Sequence, residues 1–417
     1  MIVLHMDATP DFYTGAPLDP SDLWYRDEFI TDLWDTLETQ HGLLTAPRRT
    51  GKTSVMDYLA ANPNNGFLTV PVFVQDLDHP GEFILTLLDA FHDKHPDLFR
   101  AVFAAGSRAI ESTLKRIGGI EVGAFKVALK DQDPDWKTNW KNHGDNLFEL
   151  VRKSGHKVLF IVDEFPDMIL NMNKRHPDLV RPFLAWFRGH RQRPSPKKDP
   201  ARWLLGGSVN LSTTLDSLGC LDKINDLHEE RLPILTPEQI EDFVGRMLTA
   251  RGVTMEPGFA HQLAERLGRP IPLFMQMLTQ DLYRLWKKRP EPRPALRSND
   301  LHAAFEELIV SSASRDKLQH YYSRIAQYYD EPKRSAAYEI LAKLSLSSAG
   351  LTRNRISETF DLVVQARGET LPDHERRKRF DQLLRDLEND FYVAETDDGL
   401  IDFASGLLKA WWRKYYA

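Results

Sequence analysis

Between a short apolar run and a helical pattern the chain reads Leu43-Leu44-Thr45-Ala46-Pro47-Arg48-Arg49-Thr50-Gly51-Lys52-Thr53-Ser54, and no other stretch limits the fold as sharply. A glycine-lysine-threonine run that follows a strand and opens a helix (Val55, Met56, Tyr58, Leu59) is where a tight loop turns its N–H groups toward an anion. Unpaired donors and the positive end of the helix dipole converge there. The reading assigns Ala46, Pro47, Arg48, Arg49, Thr50, Gly51, Lys52, Thr53 and Ser54 to a polyphosphate cradle. Lys52 is expected to reach the β- and γ-phosphates, and the Thr53 hydroxyl to ligate Mg²⁺. The one departure from G-x-x-x-x-G-K-[ST] is Ala46 at the first glycine. A methyl group costs little there while φ stays negative and is strained only in a left-handed conformer.

The second motif is Lys157-Val158-Leu159-Phe160-Ile161-Val162-Asp163-Glu164-Phe165. An apolar run ending in two carboxylates describes a buried parallel strand whose C-terminal edge emerges at a ligand crevice. Asp163 is expected in the Mg²⁺ shell, and Glu164 is expected to polarise the water that attacks a γ-phosphate. A nucleotide-binding switch can do without Glu164, whereas an ATPase needs it. Asp167 reads as a cap for the following helix. ATP and Mg²⁺ are the implied ligands.

Composition excludes several classes. With 417 residues the chain has room for about two to three domains. Its 42% hydrophobic and 27% charged content is that of a globular protein rather than a disordered one. No apolar run approaches a membrane span. The start, Met1 to Asp7, has no basic segment followed by an apolar core, and the single Cys220 excludes an internal disulfide framework. A cytoplasmic setting is expected. The net charge of −6 argues against coating nucleic acid by bulk charge and leaves room for a local basic face.

The order of elements predicts an α/β core. Residues 7–22 read as an extended lead-in, Leu23 to Leu37 as a helix, Asn62 to Gly66 as a turn, and Phe67 to Val74 as a strand. Residues 81–104 read as one or two helices, Ile117 to Lys130 as an inserted hairpin, and Asp131 to Asn142 as a polar loop. Residues 183–202 end a helix and form a basic loop. That loop is either solvated surface or a source of an arginine finger (Arg188, Arg191 or Arg193) for a neighbouring subunit. A strand from Trp203 to Asn210 follows; Ser208 or Asn210 at its tip is placed to sense the γ-phosphate or orient water, or else to cap a turn.

Helices then take over. Thr236-Pro237 opens one with Ile240, Phe243, Val244, Met247 and Leu248 on one face. A block from Leu263 to Trp286 is interrupted at Gly268-Arg269-Pro270-Ile271-Pro272, and Lys287 to Pro294 is a charged, proline-rich linker. From about residue 330 the pattern is a winged helix: helices at Ala336 to Ser345, from Thr352, and Glu375 to Asn389, then a hairpin of Phe391–Ala394 and Leu400–Phe403. His374 to Arg379 could meet phosphates in a groove, while the acids from Asp381 to Asp398 oppose it. DNA and protein remain equal candidates for that face.

The phosphate loop, the Asp163-Glu164-Phe165 strand end, Gly207-Ser208, Gly268-Arg269-Pro270 and the terminal winged helix together resemble the archaeal-type ATPases. These are grouped with the signal-transduction ATPases of numerous domains (STAND) and the AAA+ origin-recognition ATPases. The resemblance implies a parallel-sheet P-loop NTPase core (1–232), a helical lid and linker (233–297), and a helical connector with a winged-helix domain (298–417). It adds Arg26 and Pro270 to the nucleotide-binding set, with Gly268 and Pro270 packing near the nucleotide. It further implies ATP hydrolysis, ATP-dependent homo-oligomerisation and an output to a partner protein encoded nearby or to DNA. Relatives of this size occur in mobile elements and antiphage defence operons.

Overall fold

The computed structural model describes residues 11–13, 18–47, 49–99, 135–192, 199–207, 211–269 and 271–417. Helix α1 (Asp27–Thr39) leads into β1 (Gly42–Thr45), α2 (Lys52–Ala61), β2 (Phe67–Phe73) and α3 (Pro80–Lys94). Then come α4 (Asp135–Thr138), α5 (Trp140–Lys153), β3 (Lys157–Asp163), α6 (Phe165–Arg175), α7 (Pro177–Gln192), β4 (Ala201–Gly207), α8 (Leu211–Ser217) and β5 (His228–Arg231). The second half is helical: α9 (Pro237–Thr249), α10 (Phe259–Leu267), α11 (Pro272–Lys287), α12 (Ser298–Val310), α13 (Ser312–Tyr328), α14 (Lys333–Leu346), α15 (Arg353–Ala366) and α16 (Asp373–Asn389). It closes with β6 (Val393–Glu395), β7 (Ile401–Phe403) and α17 (Gly406–Tyr416).

The five long-range strands form one parallel sheet in the order β2-β3-β4-β1-β5. β3 and β4 are central and buried along nearly their whole length, which is why they read as unbroken apolar runs. Two clusters cover the sheet. One joins Leu44, Val55, Leu59, Ile161 and Leu204 to α1 and α2. The other joins Val70, Phe160, Val162, Trp203 and Leu205 to α3, α5, α6 and α7. Because all strands run in parallel, the ends of β1 and β3 emerge at the same sheet edge, and β4 lies between them.

Several expectations need correction. The polar loop expected at 131–142 is helical from Asp135, because Trp136 and Trp140 are both buried and lie one helical turn apart. The hairpin expected at 117–130 lies outside the described residues. β5 had no distinct apolar signal; its His-Glu-Glu-Arg sequence sits at the sheet's exposed edge. The proline-rich segment after α11 is no free tether. Trp286 Nε1 donates to the Pro294 carbonyl at 3.1 Å, and the Arg293 guanidinium stacks 4.9 Å from the Trp286 ring.

Buried side chains from Leu235 to Trp412 form one continuous cluster, so helices α9 to α12 and the C-terminal elements share a core. Within it α14, α15 and α16 precede the antiparallel β6–β7 hairpin. Thr352 caps α15 by accepting from the Arg355 N–H. Among the described residues no helix is long and apolar enough to cross a membrane.

Candidate nucleotide site

The loop between β1 and α2 turns by means of two left-handed residues, Arg49 (φ 64°) and Gly51 (φ 99°). Ala46 is buried and is not among the positive-φ residues, so the missing first glycine introduces no strain. The Thr50 hydroxyl donates to the Pro47 carbonyl at 2.6 Å and tightens the turn. Arg48 lies outside the described residues. Gly51 caps α2 with no side chain in the way, which leaves the N–H groups of the first helical turn facing a pocket of about 390 Å³. Pro47, Arg49, Gly51, Lys52, Thr53, Ser54 and Glu164 line it, with Pro272, Leu273 and Gln276 of α11 opposite. That volume is within the range of small-molecule sites.

The two sequence motifs meet here. Lys52 Nζ is hydrogen-bonded to Asp163 Oδ1, and the Thr53 hydroxyl donates to Asp163 Oδ2 at 2.8 Å. Lys52 and Asp163 are 9% and 6% exposed, a buried ion pair. The Lys52 ammonium also lies 3.8 Å from Glu164 Oε2. Glu164 occupies a left-handed position (φ 57°) between the end of β3 and the start of α6, a strained place for a residue with a Cβ. Burial pushes its carboxyl up to about 7; Lys52 opposes that, and Asp163 and Asp167 add to it. A carboxyl that exchanges its proton near neutrality suits a general base.

Gly206 of β4 makes the convergence possible. A Cβ at that position would stand 2.6 Å from Asp163 Oδ1 and 2.6 Å from Met56 Sδ. The strand between the two motif strands must therefore be bare at its tip, a requirement that no local pattern announced. Asp167, expected as a cap, sits instead inside the first turn of α6 and accepts a hydrogen bond from Tyr328 at 2.8 Å. Burial raises its carboxyl as well, against the Tyr328 hydroxyl and Lys52.

Beside this pocket lies a smaller, mostly apolar one of about 50 Å³, lined by Leu23, Tyr25, Arg26, Thr50, Phe243, Met275 and Gln276. Arg26 is 4% exposed, and desolvation lowers its guanidinium to about 10. The lead-in folds over both pockets: the Tyr13 N–H donates to Gln276 Oε1 at 2.6 Å and the Leu18 N–H to Ser54 Oγ at 3.2 Å.

Other expected residues are placed elsewhere. Arg191 is 1% exposed and forms a forked ion pair with Asp226, donating also to the Lys223 carbonyl. A side chain so committed has none of the freedom a finger needs, which overturns that expectation for Arg191. Arg188 is partly exposed and donates to Asn225 Oδ1 at 2.9 Å. Arg193, Ser208, Asn210 and Pro270 lie outside the described residues. Gly268, expected near the nucleotide, packs on the C-terminal elements: it bridges to Ser405, and the N–H of the next residue, Arg269, donates to the Ala404 carbonyl.

The donor set fits Mg²⁺. A threonine hydroxyl and one carboxylate oxygen pair converge beside a pocket, with no cluster of three His, Cys, Asp or Glu among the described residues. Mg²⁺ takes one or two protein oxygens and keeps water and substrate phosphates for the rest, unlike a metal held in an all-protein cage.

Comparison with solved structures finds this fold in a Walker-type ATPase of Pyrococcus abyssi, 15% identical, with a TM-score of 0.60 over 96% of this chain and 99% of that one. It finds it also in the ORC2 protein of Aeropyrum pernix in ADPNP and ADP complexes, 13% identical, with a TM-score of 0.52 over 96% and 92% of the two chains. No family model and no curated protein matches the sequence. The chain has the fold of a P-loop ATPase along nearly its whole length.

Proposed function

We propose that the chain is an ATP-hydrolysing molecular switch of the AAA+ or STAND kind, in which nucleotide binding joins the α/β core to the helical half. The observation that carries this reading is the meeting of Lys52 and Thr53 with Asp163 and Glu164 on one polyphosphate-sized pocket. A nucleotide-binding protein without turnover has no need of a strained carboxylate beside the phosphates.

In this reading the first turn of α2 and Lys52 bind the β- and γ-phosphates, so the Lys52 ammonium leaves Asp163 for the anion. Thr53 and Asp163 would hold Mg²⁺, which supplies neutralisation of the phosphate charge when bound. Glu164 accepts a proton from the attacking water as its oxygen bonds to the γ-phosphorus. The bond from the γ-phosphorus to the bridging oxygen breaks, leaving ADP and inorganic phosphate. The base and ribose fall toward Arg26, Tyr25 and Phe243, under the lead-in. Calorimetric titration with ATP and Mg²⁺ tests the reading: the parent binds with one site per chain and Lys52→Ala does not.

A homo-oligomer is part of the proposal, with Arg188 offered from the end of α7. The output is to a partner protein, and the mobile-element or defence setting is an extension by resemblance. A second reading, an ATP-gated DNA-binding regulator, is favoured by one observation. Arg377, Lys378 and Arg385 of α16 are exposed and make no ion pair among the described residues, whereas Arg376 and Arg379 are paired with Asp361, Asp373, Glu369 and Glu375. DNA affinity that falls steeply with salt would mark the second reading.

A further inference from the structure

Helix α13 belongs to the C-terminal half, yet it walls the phosphate pocket. His320 lines that pocket together with Arg49, Gly51, Lys52, Thr53 and Glu164. Residues 320, 324 and 328 follow one another at helical spacing and so share a face. Tyr328 reaches the acidic strand end, donating to Asp167 Oδ1 at 2.8 Å. Arg324 stacks 4.5 Å from the Tyr328 ring and forms a buried ion pair with Asp390 at 3.2 Å. The helix is thus fixed to the C-terminal end of α16 through Arg324 and to α6 through Tyr328. Its third residue on this face, His320, is left at the pocket.

We propose, on the premise that the pocket binds ATP, that His320 is a phosphate-binding side chain supplied to the site by the C-terminal half. The position of α13 then becomes part of the bound state, and nucleotide affinity and the placement of the C-terminal elements are two readings of one equilibrium. The charges facing His320 set its protonation. Burial and Arg49 hold the imidazole below its usual range, and Asp167 opposes them. Lys52 and Glu164 line the same pocket, and Lys317 lies one turn earlier on α13. With no anion present the imidazole is neutral at physiological pH and donates one hydrogen bond at most. A polyphosphate beside it favours the cation, with two N–H donors. Binding therefore takes up a proton at the imidazole.

The test is calorimetric titration of the full chain with ADP and with ATP plus Mg²⁺ between pH 6 and 8, in two buffers of different ionisation enthalpy. The nucleotide's own phosphates titrate in this range, so the informative quantity is the parent value minus that of His320→Gln. Relative to the parent, His320→Gln is expected to lose roughly 10-fold in affinity at pH 6.5 and the imidazole's share of the proton uptake. His320→Lys, with a cation at every pH used, is expected to restore affinity at pH 8 and, like His320→Gln, to lack the imidazole's share of the proton uptake. Melting curves of both variants establish that each is folded. Parent-like affinity and proton uptake in His320→Gln would overturn the inference while leaving ATP binding intact. Failure of the parent to bind either nucleotide would overturn both.

Discussion

The Thr53 hydroxyl donates to Asp163 Oδ2 at 2.8 Å, joining two motifs that stand 110 residues apart. Lys52 shares the same carboxylate, so both ends of the phosphate-loop chemistry rest on one buried acid. Removing the ammonium should therefore cost stability as well as binding. Lys52→Ala leaves Asp163 buried without its cation, an effect on the order of 3 kcal/mol. Denaturant unfolding should register that loss in the nucleotide-free protein, while Asp163→Asn combined with Lys52→Ala recovers much of it. Equal stability of parent and Lys52→Ala would mean the pair does not form in solution.

Glu164 couples the site to pH. Its carboxyl is raised to about 7 in the folded chain from an ordinary value of 4.5. The folded state then holds a proton that the unfolded chain has released, so this group's contribution is fully present below pH 4.5 and is lost as pH rises through about 7. Glu164→Gln should be more stable than the parent at pH 8 by on the order of 1–3 kcal/mol, with the gap closing toward pH 5. Turnover by the parent should fall as pH drops below about 7, where the base becomes protonated. A stability difference independent of pH would count against a raised carboxyl.

Gly206 tests the packing that brings the motifs together. Gly206→Ala places a methyl against the Asp163 carboxylate and Met56. Destabilisation of about 1–3 kcal/mol and weakened ATP binding are expected, because either the carboxylate or the α2 side chain must shift. Gly207→Ala, whose Cβ would meet only Pro166 and Leu43 at 3.2 Å or more, should be milder on both counts. The reverse ranking in melting temperature would contradict this account of the β4 tip.

The two arginines at the end of α7 should separate. Arg191→Ala strips Asp226 of its buried partner and should lower stability by about 3–5 kcal/mol. Arg188→Ala should fold normally and, if the finger acts in trans, should regain part of its ATPase activity when mixed with Lys52→Ala. Full activity of Arg188→Ala alone, or a strictly monomeric active sample, would return Arg188 to an ordinary surface role.

The motifs were legible because their chemistry is written in adjacent residues. The loop, the acidic strand end, and the helices and hairpin after residue 330 each follow from local spacing, and the structure places them within a few residues. The rest depends on neighbours distant in sequence. Gln319-His320-Tyr321-Tyr322 carries no sign that His320 faces a phosphate loop some 270 residues earlier, and Gly206 is needed only because Asp163 and Met56 lie beside it. Arg191 misled for the same reason: in a basic run it looked available, while its carboxylate stands 35 residues later. Periodicity exposes which face of a helix is buried and not what that face meets.

The most direct measurement is phosphate release from ATP by the parent and by Glu164→Gln, alongside the amount of ATP each retains. The account predicts that the parent releases phosphate, while the variant binds ATP within a few-fold of the parent and turns over at least about 10²-fold more slowly. The amide keeps the side chain's shape and lacks the base. Hydrolysis by Glu164→Gln at the parent rate, or the absence of ATP binding in both, would contradict the assignment of this site as an ATPase centre.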